Sequence, residues 1–166
     1  MSAGRTTRRN APLQRIPAAL ATVAAQGAAY CFIDTAPTIS EQNTSLLRLA
    51  DLILIPVRPS PSDLWAVAET VAQVKEAGKP FLFVVTQAKP QATITAQAVA
   101  ALSQHGRVPQ AFISDRVAYA AAMTGGDTTP ELSAKGPAAQ EIPALWLEIK
   151  SCFHESKKSA KKVAHG

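Results

Sequence analysis

Apolar residues in the middle of this chain occur in unbroken runs instead of alternating with polar ones. The clearest runs are Leu52-Ile53-Leu54-Ile55 and Phe81-Leu82-Phe83-Val84-Val85. A strand with one face in water alternates apolar and polar side chains, so unbroken runs predict strands that are covered on both faces. The pattern therefore predicts an α/β fold, with a mostly parallel sheet and helices on both of its faces.

Helical patterns separate these runs along the chain. The predicted strands cover residues 30–34, 51–57, 80–86 and 111–114, and the predicted helices cover 12–27, 40–49, 63–77, 92–105, 117–123 and 138–153. Ser40 and Ser62 are the predicted N-caps of the second and third helices. Pro17 and Pro143 interrupt helical patterns, so each predicts a bend or a later start.

The composition fits one domain with an aliphatic core. The chain has 166 residues, of which 47% are apolar and only 5% aromatic. Trp65 and Trp146 fall on apolar helix faces, which predicts that both pack in the core. Cys31, in a predicted buried strand, and Cys152, in a predicted helix, form no CxxC motif, which favours reduced thiols. No run approaches the roughly 20 apolar residues of a membrane span. We therefore expect a cytoplasmic protein without a membrane partner.

The net charge of +5 is concentrated at the two ends of the chain. Residues 1–11 are polar and basic, which predicts a flexible arm that includes Arg8 and Arg9. Residues 12–155 form the predicted α/β domain, and residues 16–150 carry a slight excess of acid. Residues 156–166 form a basic tail, whose lysines are Lys157, Lys158, Lys161 and Lys162. A polyanion such as DNA would therefore be bound mainly by the ends of the chain, although a solvated tail without a partner explains the lysines equally well.

Candidate chemistry lies where the predicted strands end. Ligands of parallel sheets bind beyond the carboxyl ends of the strands, where Asp34, Pro56, Thr86 and Ser114 fall. Asp34 could hold a metal-bound water, as acids do in phosphoryl transfer, or it could form a turn before Thr35-Ala36-Pro37. The sequence leaves both interpretations open.

A phosphate-binding loop of the form GxxxxGK[ST] is absent from the sequence. Such a loop surrounds the phosphates with backbone N–H groups and supplies a lysine and a hydroxyl. The Gly78-Lys79 pair has Gln73 in place of the first glycine and Pro80 in place of the hydroxyl residue. The three histidines lack ligand spacing, and no nucleophile motif is present. No metal site is expected unless Asp34 binds Mg²⁺.

Several ordered segments closely resemble the ParA/MinD-type partition ATPases. They are Phe32 to Pro37, Ala50 to Val57 followed by Pro59 to Leu64, Ile113 to Tyr119, and Ala138 to Ile142. The resemblance spans about residues 16–153. Members of this family are deviant P-loop ATPases that dimerise around ATP, bind DNA nonspecifically, and move plasmids or chromosomes with a centromere-binding partner.

The resemblance implies roles for individual positions. Asp34 would be the Walker B acid, and the switch that follows it would include Thr35, Pro37 and Ser40. Thr86 and Gln87 would begin the pocket for the base. Asp63 would be a loop acid, and Arg116 would lie near the DNA-facing end. The DNA-contact candidates are thus Arg116, the tail lysines, Arg8 and Arg9.

The chain departs from the family before Asp34. The family's phosphate loop, its lysine and a further acidic strand precede that acid by many tens of residues, whereas thirty-three residues precede Asp34 here. The resemblance therefore predicts an N-terminally truncated P-loop fold. ATP and Mg²⁺ are implied by the family, but we expect no cofactor and no ATP hydrolysis for this chain alone.

Three functions remain open at this stage. One is a ParA-like role in plasmid or chromosome partitioning, in which a centromere-binding protein or a full-length ParA-like ATPase is the partner and a homodimer is compatible. Another is a nucleotide-independent module that binds a partner or DNA. The third is a fragment without activity of its own.

Overall fold

The computed structural model describes residues 11–35 and 41–163, with side-chain burial for 11–35 and 44–156. The chain divides into two compact units, Met1–Leu49 and Ala50–Gly166. In the first unit, a short 3-10 helix at Leu13–Arg15 leads into helix α1, Ile16–Ala25, and helix α2 covers Glu41–Leu49. Pro17 lies in the first turn of α1, where its missing N–H costs nothing. The start predicted at Pro17 is thus confirmed to within a residue.

The second unit contains the sheet. Strand β1, Ile53–Val57, pairs in parallel with strand β2, Phe81–Val85, and Ile55 lies opposite Phe83. Helix α3, Pro61–Glu76, connects the two strands, and helix α4, Thr93–Ser103, follows β2. Helices α5, Val117–Gly125, α6, Thr129–Leu132, and α7, Pro137–Val163, complete the unit. The predicted α/β class with a parallel sheet is confirmed.

Strand β2 is covered on both faces, as its apolar run predicts. Leu82 and Val84 pack in a buried cluster with three residues of α7: Leu145, Ile149 and Cys152. Phe83 and Val85 point to the opposite face and are also buried. Helix α3 contacts β1 and buries Val67, Val71 and Val74.

The strand predicted at 30–34 is wrong. Residues 30–35 have no regular secondary structure, and Phe32 is 70% exposed. Cys31 is exposed as well, so its predicted burial is also wrong. An apolar run favours a strand only where a neighbouring strand and a covering layer are available, and no strand pairs with these residues in the described part of the chain.

Residues 107–115 run beside β2 without becoming a regular strand. Parallel bridges join Leu82 to Arg107 and Ala88 to Ser114, and the N–H of Ile113 donates to the carbonyl of Val85 at 2.9 Å. The strand predicted at 111–114 is therefore present only as an edge segment. We call residues 107–116 the edge segment below.

The two tryptophans differ in burial. Trp146 packs against the buried cluster, as predicted. The predicted core position of Trp65 is wrong, because Trp65 is 80% exposed. Trp65 lies on the side of α3 opposite the buried valines, so the helix turns it toward solvent. The N-cap of α3 lies two residues earlier than predicted, since Ser60 and not Ser62 accepts the N–H of Asp63, at 3.2 Å.

Candidate functional site

The carboxyl ends of the strands meet at one edge of the sheet. Val57 pairs with Val85 at the ends of β1 and β2, and Ala88 bridges to Ser114 just beyond. Parallel strands place their ends together, so the loops that follow them share this edge. The structure thus brings together Thr86, Gln87 and Arg116 on neighbouring chain segments, and this edge is the candidate site.

A hydrogen-bonded network around Glu141 holds the end of the edge segment. The Glu141 carboxylate accepts the N–H of Ser114 at 3.1 Å and the Ser114 hydroxyl at 2.7 Å. It also accepts Nε of Arg116 at 2.8 Å and the hydroxyl of Tyr119 at 2.8 Å. Four donors from one short segment therefore converge on a single carboxylate of α7.

This environment moves the pKa values of the two acidic groups in opposite directions. Burial alone would raise the pKa of Glu141, but hydrogen bonds from Ser114 and Arg116 outweigh it and hold that pKa below its ordinary value of 4.5. Burial and the hydrogen bond to Glu141 raise the pKa of Tyr119 well above its ordinary value of 10.0. At neutral pH the network therefore consists of a carboxylate, a guanidinium and a neutral phenol.

Two more glutamates of α7 hold the same edge segment. Glu148 accepts the N–H groups of Gln110 and Ala111 at 3.0 and 2.8 Å. Glu155 accepts Nη1 of Arg107 at 2.7 Å. The three glutamates are seven residues apart, which is a rise of about 10.5 Å in a helix, close to the span of three to four extended residues.

These contacts form a ladder of carboxylates along the edge segment. No pattern in the sequence predicted the ladder, although the spacing of seven between Glu141, Glu148 and Glu155 is visible there. Exposed N–H groups at a sheet edge invite pairing with other chains, and carboxylates that accept them close that edge.

A second ion pair fixes the loop after β1. Arg58 donates through Nε to Asp63 Oδ2 at 2.6 Å, and its Nη2 lies 3.1 Å from Oδ1. The hydrogen bond from Arg58 lowers the pKa of Asp63 below its ordinary value. Asp63, which the resemblance marked as a loop acid, thus anchors the first turn of α3 to the end of β1.

Gln87 has an unusual backbone conformation at the candidate site. Its φ of 51° lies in the left-handed region, which is uncommon for residues other than glycine. Thr86, directly before it, is half-buried and donates its N–H to the carbonyl of Val57 at 2.9 Å. Strain of this kind occurs preferentially at binding sites. The role of Thr86 and Gln87 in base binding stays a prediction.

Arg116 lines two neighbouring cavities. One, of about 390 Å³, is also lined by Gln110, Phe112 and Gln140. The other, of about 440 Å³, is also lined by Leu132. Both volumes fall in the lower range for small-ligand pockets. The guanidinium of Arg116 is only partly exposed, and its ion pair with Glu141 fixes its orientation. It is therefore a fixed polar group between two mainly apolar cavities.

The other predicted site residues belong to the first unit, to the end of α7 or to the part of the chain that the structure does not describe. Asp34 and Thr35 are exposed residues of the first unit, on the irregular segment. Pro37, Ser40, Arg8 and Arg9 lie outside the described residues. Helix α7 continues to Val163 and so includes the backbone of the four tail lysines, whose side chains are likewise outside the description.

The described residues do not fit Mg²⁺ and ATP in the way the resemblance implies. Asp34 is an exposed carboxylate on an irregular segment instead of an acid at the end of a buried strand. Among the residues whose side chains the structure describes, 11–35 and 44–156, no group of three or more His, Cys, Asp or Glu could hold a metal ion. The sequence also lacks a phosphate loop. The geometry therefore supports no catalytic step through a bound nucleotide.

Comparison with known proteins gives one informative relative. The chain is 31% identical over 128 residues to "Maintenance of carboxysome distribution protein A" of Halothiobacillus neapolitanus. The match covers 72% of this chain but 59% of the relative, so the chain spans about three fifths of that protein's length.

No protein-family model matches the chain. None of the helices in the described part of the chain is both long enough and apolar enough to cross a membrane.

Proposed function

We propose that this chain is a cytoplasmic positioning protein of the ParA/MinD type, which helps to distribute a large cargo within the cell. The similarity to a carboxysome-distribution protein is the observation that carries this proposal. The ordered segments around Asp34, Pro56 to Asp63 and Arg116 support the same family. Carboxysome-like cargo is favoured by the relative's name, and plasmids or chromosomes are the alternative cargo that the family resemblance implies.

The proposed mechanism relies on contacts with partners and not on ATP hydrolysis by this chain alone. The chain has no phosphate loop, and Asp34 lies on an exposed irregular segment. The candidate edge instead offers a rigid, clamped arginine and two shallow cavities, which suit the binding of another polypeptide. The partner would be a full-length ATPase of the same type or an adaptor on the cargo.

A cellular experiment tests the positioning role. Deleting the gene in the organism that encodes it, with the cargo labelled by a fluorescent protein, should change the spacing of the cargo from even to clustered. Expression of the wild-type chain should restore even spacing, and the Asp34→Ala variant should restore it equally well. Unchanged spacing in the deletion strain would contradict the positioning role.

DNA binding is the second candidate function, and the basic ends of the chain favour it. If the ends bind phosphates, affinity for a nonspecific duplex should fall steeply with salt, because each neutralised phosphate releases a counterion. Deleting residues 1–15 and 156–166 should then abolish the binding. Fluorescence anisotropy with a labelled duplex measures both effects. Binding that persists in the deleted chain would exclude the ends as the DNA-binding segments.

A further inference from the structure

Helix α3 presents an unusual outward surface. Its buried residues, Val67, Val71 and Val74, define the inner side. The opposite side carries Trp65, Glu69, Ala72 and Glu76, which fall within a sector of about 60° at 3.6 residues per turn. All four are exposed, and Trp65 is 80% exposed. We call these four residues the α3 stripe.

The exposure of Trp65 is the feature that calls for a partner. Tryptophan has a large apolar surface and is enriched among the residues that dominate protein interfaces. Nothing in the core requires it, because α3 already contacts the sheet through its valine side. Leaving so large a side chain in water weakens solubility without stabilising the fold.

The base of the stripe is rigid. Ser60 caps α3, Pro61 occupies its first turn, and the Arg58–Asp63 ion pair ties that turn to β1. Trp65 lies one turn further along the helix. A side chain on such a fixed turn loses less conformational entropy when a partner binds it.

The charge of the stripe identifies the partner's chemistry. Glu69 and Glu76 are about 10.5 Å apart along the helix axis, and the stripe contains no lysine or arginine. Lys75 lies outside the stripe, about 60° from its nearest member, Ala72, at 100° per residue. We propose that the α3 stripe binds a basic amphipathic helix of a partner protein, with two cations seven residues apart that meet Glu69 and Glu76.

The same geometry explains how such a helix would sit. An apolar side chain between the two cations would lie over Ala72, where the small side chain leaves room for close approach. Trp65 would cover one end of the contact, and a cation beside its ring would add a cation–π interaction. A second copy of this chain fits poorly, because two antiparallel α3 stripes would bring their glutamates together.

This inference goes beyond the proposed function, since it depends only on the α3 stripe and not on cargo positioning. The probe is a fluorescently labelled synthetic helix of about 18 residues, with lysines seven apart and leucine between them. A peptide of the same composition, with the lysines distributed around the helix, is the control. Fluorescence anisotropy measures the affinity of each peptide for the full chain.

Matched variants make the test specific. Trp65→Ala and Glu69→Lys should each weaken binding of the patterned peptide by about tenfold or more. Met123→Ala removes another exposed apolar side chain, and Asp127→Lys reverses another exposed acid, both outside α3. These two controls should change the affinity by less than about twofold. Circular dichroism checks that all variants remain folded.

Three results would overturn the proposal. The first is no saturable binding of the patterned peptide. The second is equal binding of the two peptides, or equal losses in the variants and their controls, since either would reveal unspecific attraction. The third is a wild-type dimer that Trp65→Ala converts to a monomer in sedimentation, because the occupant of the stripe would then be a second copy.

Discussion

Replacing Glu141 with alanine should lower the free energy of unfolding by about 3 kcal/mol. The Glu141 carboxylate accepts donors from Ser114, Arg116 and Tyr119, and Ser114 is buried. Alanine leaves the two donors of Ser114 and Nε of Arg116 without this acceptor, while the Tyr119 hydroxyl keeps the carbonyl of Ala138 at 3.2 Å. Each buried group without a partner costs about 1 to 3 kcal/mol. Urea unfolding followed by circular dichroism measures the change.

The control for Glu141 lies next to it. Gln140 is exposed on the same turn of α7, so Gln140→Ala should change the stability by no more than about 0.5 kcal/mol. Glu141→Gln should lie between the two, because the amide keeps one acceptor but loses the charge that attracts Arg116. A loss in Glu141→Ala as small as that of Gln140→Ala would show that the network does not stabilise the fold.

The same network gives the protein an acid-sensitive component of stability. The folded-state pKa of Glu141 is below 4.5, so the unfolded chain binds this proton more readily than the folded chain. The stabilisation by ionised Glu141 is therefore complete above about pH 4.5 and is lost as the pH falls through the folded-state pKa. Urea midpoints between about pH 6 and pH 3 should fall less steeply for Glu141→Gln than for wild type. Parallel curves would contradict this assignment.

Phe83→Ala should have the largest effect of any single substitution considered, a loss of about 3 to 5 kcal/mol. Phe83 is 0% exposed at the centre of β2, and its ring meets that of Phe81 edge to face at 5.4 Å. Alanine removes this contact and leaves a cavity that rigid strands cannot close. Since small domains are stable by only about 5 to 15 kcal/mol, the variant would be close to unfolding at room temperature.

Leu147→Ala is the matched control for Phe83. It also removes a large apolar side chain, but Leu147 is 63% exposed, and the expected loss is below about 1 kcal/mol. Thermal unfolding of both variants measures the contrast. Similar losses for Phe83→Ala and Leu147→Ala would mean that β2 is not the centre of the core.

The centre of the sheet could be predicted from the sequence, because a strand that is buried on both faces has apolar residues at every position. The run at 81–85 contains no polar residue, and the structure buries Leu82 and Val84 on one face and Phe83 and Val85 on the other. The run at 30–34 is also mainly apolar, although it ends on Asp34, and it forms no strand. Periodicity reports what a segment could bury, while pairing depends on neighbours that the segment itself does not encode.

The candidate site was only partly predictable for a related reason. Thr86, Gln87 and Arg116 follow strand-like segments, so parallel topology places them at one edge. Their fixed geometry depends on Glu141 of α7, which is twenty-five residues from Arg116 in sequence. Hydrogen bonds between such distant residues leave no local pattern. The spacing of seven among the α7 glutamates was the available signal, but without the edge segment it resembles an ordinary solvated helix face.

Isothermal titration calorimetry of the purified full chain with Mg²⁺ and ATP shows whether the chain has a nucleotide site of its own. Because we propose that the chain acts in positioning through partner contacts without such a site, we expect no saturable heat for wild type and the same trace for Asp34→Ala. Micromolar binding of ATP that Asp34→Ala weakens would contradict this proposal and would make Asp34 a metal-side acid.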